Sequence, residues 1–134
     1  MTRALLLLAL IPAALSSGEL GPLYVVSRPA LYRIARVYQG EASYYAPHFH
    51  GRAMKNGHRY DLHRLTAASN TIPLGRVVLV TRADRPWRTV TVKITDTGNL
   101  HGRLLDLSGS AACKLGMLHE GIVPITVMEV TKDG

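Results

Sequence analysis

Thr89-Val90-Thr91-Val92-Lys93-Ile94-Thr95 alternates polar and apolar side chains residue by residue. A period of two belongs to extended chain, in which successive side chains face opposite sides, so the segment predicts a strand with one buried face. Upstream, Val77-Val78-Leu79-Val80 is an unbroken apolar, largely β-branched run, and predicts a strand covered on both sides. Farther out, Ile122 to Val130 and Glu41 to Tyr45 supply a third and a fourth strand. One helix is predicted: Ser108 caps it, Ala111, Ala112, Lys114 and Leu115 propagate it, and Gly116 ends it. Several short strands, turn signals between them and a lone helix predict an all-β chain, a small barrel or sandwich.

The amino-terminal side reads differently. Met1-Thr2-Arg3 is a short positive region, and Ala4 to Leu15 then runs without a charge, interrupted only by Pro12. Ala14-Leu15-Ser16 offers small residues at a plausible cleavage site. Residues 1–16 therefore predict a secretory signal peptide, the apolar run being too short to span a bilayer comfortably. No cysteine follows that run, which predicts an exported chain without a lipid anchor, soluble in the periplasm or outside the cell. Residues 17–37 read as a linker, with turn-prone Ser16-Ser17-Gly18 and Gly21-Pro22 and a short helix over Ala30 to Val37. The folded domain is expected over 38–131.

The 134 residues leave room for one domain. Sixteen Lys and Arg against nine Asp and Glu give a formal charge of +7, which favours polyanionic partners without choosing among them. The single Cys113 excludes a disulfide or a cysteine metal cluster within the chain, and its Ala-rich surroundings predict a buried small apolar residue.

Four segments taken in register carry a resemblance. They are Gly40-Glu41-Ala42-Ser43-Tyr44-Tyr45; then Phe49-His50-Gly51-Arg52 with Asn56-Gly57 and Tyr60-Asp61; then Leu65-Thr66-Ala67-Ala68 with Pro73-Leu74-Gly75; and finally Asp96-Thr97-Gly98 with Leu105-Asp106-Leu107-Ser108 and Leu115-Gly116-Met117. Their order and spacing are similar to the rare lipoprotein A family of septal lytic transglycosylases, over roughly residues 38–130. The resemblance implies a double-psi β-barrel, related to expansins and some endoglucanases. It also implies an endolytic enzyme that cuts the MurNAc–GlcNAc bond of peptidoglycan and leaves a 1,6-anhydro end.

Such a cleavage needs one proton donor at the leaving oxygen. Hydrolases divide the work between two carboxyl groups, one of which engages water or the anomeric carbon. A lytic transglycosylase manages with one, because the sugar's own 6-hydroxyl attacks. Asp96 follows a strand and precedes Thr97-Gly98, so its side chain is expected at a strand end, and the resemblance implies that it is the catalytic aspartate. A donor near neutral pH must be kept protonated by burial or by a neighbouring like charge, which Asp106 could supply. Asp106 equally suits the start of the following helix.

Three positions depart from the family pattern. His58 stands where the resemblance implies Glu, Ser69 where it implies His, and Thr97-Gly98-Asn99 where it implies Arg-Gly-Pro. His58 and Ser69 are thus expected as supporting groove residues, and Tyr44, Tyr45 and Tyr60 as sugar-stacking ones. His48, His50, His58 and His63 cluster, but a polar groove wall is the expected role; no metal and no cofactor are predicted. Peptidoglycan glycan strands are the expected partner. A second reading, a non-catalytic expansin-like glycan binder, stays open. Nucleic-acid binding rests on charge alone and lacks a base-reading motif, so none is predicted.

Overall fold

In the computed structural model, residues 24–27 and 30–132 are described; the expected signal peptide, 1–16, lies outside them. Among the described residues seven strands and one α-helix follow in order, with a single 3-10 turn at Pro47–Phe49 between the second and third strands: β1 (Tyr24–Ser27), β2 (Ala30–Tyr44), β3 (Thr66–Ala68), β4 (Val77–Arg82), β5 (Thr89–Asp96), β6 (Leu105–Leu107), α1 (Gly109–Leu115) and β7 (Val123–Lys132). The sheet runs β1-β2-β6-β3-β5-β4-β7, and β7 pairs back onto β2, closing six strands into a barrel with β1 outside it. The β2–β6 and β3–β5 pairs are parallel and the others antiparallel. This is the double-psi β-barrel that the resemblance implied. Among the described residues, no helix is long and apolar enough to cross a membrane.

The alternation in β5 does what its period demands. Val90, Val92 and Ile94 are buried, while Thr89, Thr91 and Lys93 face outward. They meet Val78 and Val80 of β4, Leu105 and Leu107 of β6, and Ile125 and Val127 of β7 in one core. Gly40 on β2 is required by packing, since a Cβ there would stand 2.8 Å from Leu104 Cβ. The helix cap is as expected: Ser108 Oγ accepts from Ala111 N, and Gly116 closes α1 at φ 70°.

Three expectations are corrected. Ala30 to Val37 is not a helix but the first half of β2, because β7 offers it an antiparallel ladder from Tyr32–Lys132 to Ala42–Val123. A tertiary partner of that length overrides the helical preference of Arg33, Ala35 and Arg36. β4 is covered on one side only, since Val77 is exposed and Leu79 half-buried outside the barrel wall. Cys113 is exposed, because α1 packs through Ala111, Ala112 and Leu115 and turns position 113 outward.

Candidate active site

Ala68, the last residue of β3, is the pivot of the site. It lies opposite Asp96 of β5 on one side and opposite Asp106 of β6 on the other. Residues directly opposite one another share a face of a sheet, and neighbouring strands lie about 4.8 Å apart. The two aspartates therefore flank one small alanine, with Cα atoms on the order of 10 Å apart. The β3–β5 register slips between Ala67 and Ala68, and this bulge re-aims the end of β5. Asp96, Asp106 and Ala68 all line one cavity of about 450 Å³, walled by Tyr45, Phe49 and Arg52.

The two carboxyl groups live in different surroundings. Asp96 accepts three hydrogen bonds: from Tyr45 Oη at 2.7 Å, from Lys55 N at 2.8 Å and from Thr97 N at 2.9 Å. Every partner is a donor, so the group is held as an acceptor. Asp106 accepts one from Ser43 Oγ at 3.0 Å, and Arg103 Nε donates in turn to Ser43 Oγ at 3.1 Å. Burial pushes the Asp106 carboxyl above its ordinary value; the negative charge of Asp96 adds to this, while Ser43 and Arg103 pull the other way. Asp96 is thus a like charge that adds to the larger effect of burial on Asp106.

Tyr45 ties this pair to the scaffold. Its ring stacks on Tyr60 at 4.3 Å and meets Phe49 edge-on at 5.9 Å. Burial and the Asp96 carboxylate drive its hydroxyl far above the ordinary tyrosine range, so it remains a proton donor to Asp96. Tyr60 is not a sugar-stacking residue. It is 2% exposed, lies beneath Tyr45, and its oxygen accepts from Gly109 N at the start of α1.

Other expected groove residues are elsewhere. Tyr44 points to the opposite face of β2, where its hydroxyl donates to Leu118 O at 2.7 Å. Ser69 is buried, donating to Leu104 O and accepting from Thr71 N and Ile72 N, so it holds a turn and lines no groove. His58 is exposed and lines a second cavity beside the first, not that of Asp96. Among the described residues, no three His, Cys, Asp or Glu side chains converge as a metal site.

Between the cavities stands a small hairpin, Arg52 to Tyr60, bridged at Ala53–Arg59 and turned at Gly57 with φ 89°. Its tip docks on the end of β5 through Lys55 N to Asp96 and Asn56 N to Thr95 O. Sequence reasoning missed Ser43, Phe49, Arg52 and Arg103 as site residues. Ser43 had a signal, since it shares a strand face with Tyr45; Arg103 had none.

A family profile described as lytic transglycolase matches residues 37–127. The endolytic peptidoglycan transglycosylase RlpA of Vibrio cholerae is 40% identical over 95 residues, covering 70% of this chain and 36% of its own. Its Pseudomonas aeruginosa namesake is 43% identical over 96 residues, covering 69% and 28%. The probable endolytic peptidoglycan transglycosylase RlpA of Synechocystis is 40% identical over 113 residues, covering 84% and 33%. The chain thus spans about a third of the length of these curated relatives. Among solved structures, Streptomyces papain inhibitor superposes with a TM-score of 0.56 at 26% identity, over 73% of this chain and 96% of that one.

Proposed function

Because the chain belongs to the lytic transglycolase family, we propose that it is an endolytic peptidoglycan transglycosylase, exported to the cell wall, with Asp96 and Asp106 as its reacting pair. The observation that carries this reading is the placement of both carboxyl groups across Ala68 in one cavity, where burial raises the Asp106 carboxyl above its ordinary value.

Asp106 delivers its proton to the glycosidic oxygen as the bond to C1 of the MurNAc ring breaks, and the departing sugar leaves with its 4-hydroxyl. The Asp96 carboxylate, oriented by its three donors, faces the positive charge that grows on the ring. The 6-hydroxyl of the same MurNAc then attacks C1, and its proton returns to Asp106. A 1,6-anhydro end forms, no water is consumed, and the acid is regenerated. Arg52 and Phe49, with the guanidinium 4.8 Å from the ring centroid, give the cavity a flat wall suited to a sugar face.

The test is digestion of peptide-free glycan strands followed by mass analysis. Anhydro-ended fragments are expected from the native chain and not from Asp106→Asn or Asp96→Asn. Intact strands, bound but uncut by the native chain, would favour the expansin-like binder instead.

A further inference from the structure

Asp106 presents its two carboxyl oxygens to different neighbours. Oδ1 accepts the 3.0 Å hydrogen bond from Ser43 Oγ, and Ser43 is its partner across the parallel β2–β6 ladder. Oδ2 has no hydrogen-bond partner among the described residues and is not sealed from solvent, and Asp106 forms part of the cavity wall.

Arg103 fixes the sense of the Ser43 bond. Its Nε donates to Ser43 Oγ at 3.1 Å. A guanidinium carries donors only, and a hydroxyl has a single hydrogen, so the direction of the relay is set. Arg103 donates to Ser43, Ser43 donates to Oδ1, and Oδ1 can only accept. A proton held by Asp106 therefore sits on Oδ2. The loop before β6 gives Arg103 a fixed approach. Arg103 N donates to Leu100 O at 2.9 Å, with His101 and Gly102 between them at φ 51° and 82°. Leu100 and Leu104 are buried on either side, and Leu104 N is tied to Glu41 O of β2 at 2.9 Å. His101 is the one described non-glycine residue at positive φ, a conformation that the packing around it must impose. Neither Ser43 nor Arg103 lines the cavity, and Arg103 makes no ion pair among the described residues.

We propose that Arg103, acting through Ser43, is a positioning residue that fixes the transferable proton of Asp106 on Oδ2, the oxygen left open to the glycan. The inference rests on the reading of Asp106 as the proton donor. The Oδ2–H bond breaks as the glycosidic oxygen takes the proton, and the 6-hydroxyl later returns a proton to Oδ2; Arg103 and Ser43 keep theirs throughout. In the interval the Ser43 hydroxyl, polarised by the guanidinium, supports the carboxylate. Both groups accordingly pull the Asp106 carboxyl down against burial. The other charged or titratable groups facing it are Asp96 from β5, Tyr45 just beyond β2, and Tyr60 and Arg52 from the hairpin.

The test uses the full chain with Ser43→Ala, Arg103→Gln, Arg103→Lys and the double variant Ser43→Ala with Arg103→Gln. Carboxyl-carbon NMR should show the Asp106 midpoint rising in Ser43→Ala and in Arg103→Gln, and staying nearer native in Arg103→Lys. Arg103→Gln should raise it less when Ser43 is already alanine, because the path is then cut. In infrared difference spectra the carbonyl stretch of protonated Asp106 should move up in Ser43→Ala, since Oδ1 loses its donor. On glycan strands kcat should fall about tenfold in either single variant with KM little changed, and the alkaline limb of kcat should move up. An Asp106 midpoint that neither substitution moves, equal shifts from Arg103→Gln in both backgrounds, or an unmoved carbonyl stretch overturns the proposal. A native chain that cuts no strand but keeps these spectroscopic effects loses the enzymatic reading alone. One that cuts strands with kcat and the Asp106 midpoint indifferent to position 103 loses the relay alone.

Discussion

Tyr45→Phe removes one oxygen and tests how the reacting pair is held. The lost contact is the 2.7 Å hydrogen bond from the Tyr45 hydroxyl to Asp96 Oδ2. The ring contacts to Tyr60 and Phe49 survive, since phenylalanine keeps the ring. A hydrogen bond to a charged group contributes about 1.5–3 kcal/mol. Here the site is half-buried and Asp96 keeps two backbone donors, so the lower end applies, about 1.5 kcal/mol. With a urea m-value of about 1.5 kcal/mol per molar for a domain of this size, the unfolding midpoint should fall by about 1 M. In the glycan digestion, kcat should drop about tenfold with KM little changed, because Asp96 loses an anchor and not a substrate contact. A variant with an unmoved midpoint and native kcat would refute the claim that Tyr45 orients Asp96.

Gly40→Ala should destabilise the barrel by about 1–3 kcal/mol in urea unfolding, because its new methyl meets Leu104 Cβ. The same substitution on a Leu104→Ala background should cost no less, since the blocking atom is the Cβ that alanine retains. Asp106→Asn should show a pH-dependent gain. The folded-state carboxyl lies above its ordinary 3.8, so the native chain has its full stability below that value and loses stability as pH rises through the folded midpoint. Asparagine does not titrate there, so urea midpoints should favour the variant more at about pH 7 than at about pH 3.

The strands that the sequence declared were those with room to show a period. The alternation of Thr89 to Ile94 became β5 with its inward and outward faces as read, Thr95 departs from it as a buried residue beside the β3–β5 bulge, and Ser108 and Gly116 bounded α1. The three-residue strands β3 and β6 show no period of their own; they surfaced only as Leu65-Thr66-Ala67-Ala68 and Leu105-Asp106-Leu107 within the family resemblance. β2 was longer than read because its first half is specified by β7, some ninety residues away, and not by local preference.

The site divides along the same line. Asp96 and Asp106 were nameable from motif position, and Tyr45 from its neighbourhood. The difference between the two carboxyl groups was not, because it depends on burial and on donors from Lys55, Thr97 and Ser43 that only the fold brings together. Tyr44 and Tyr45 are adjacent in sequence, yet they face opposite sides of β2, and only one reaches the cavity. Ser69 and His58 were placed in the groove by motif position alone, and the structure sends one into a buried turn and the other to a neighbouring cavity.

A carboxyl-carbon NMR titration of Asp106, in the native chain and in Asp96→Asn, reaches the pairing of the two acids most directly. The account predicts a midpoint above the ordinary 3.8 in the native chain and a lower one once the charge at position 96 is gone. A midpoint in the ordinary aspartate range, or one that Asp96→Asn leaves unmoved, would contradict it.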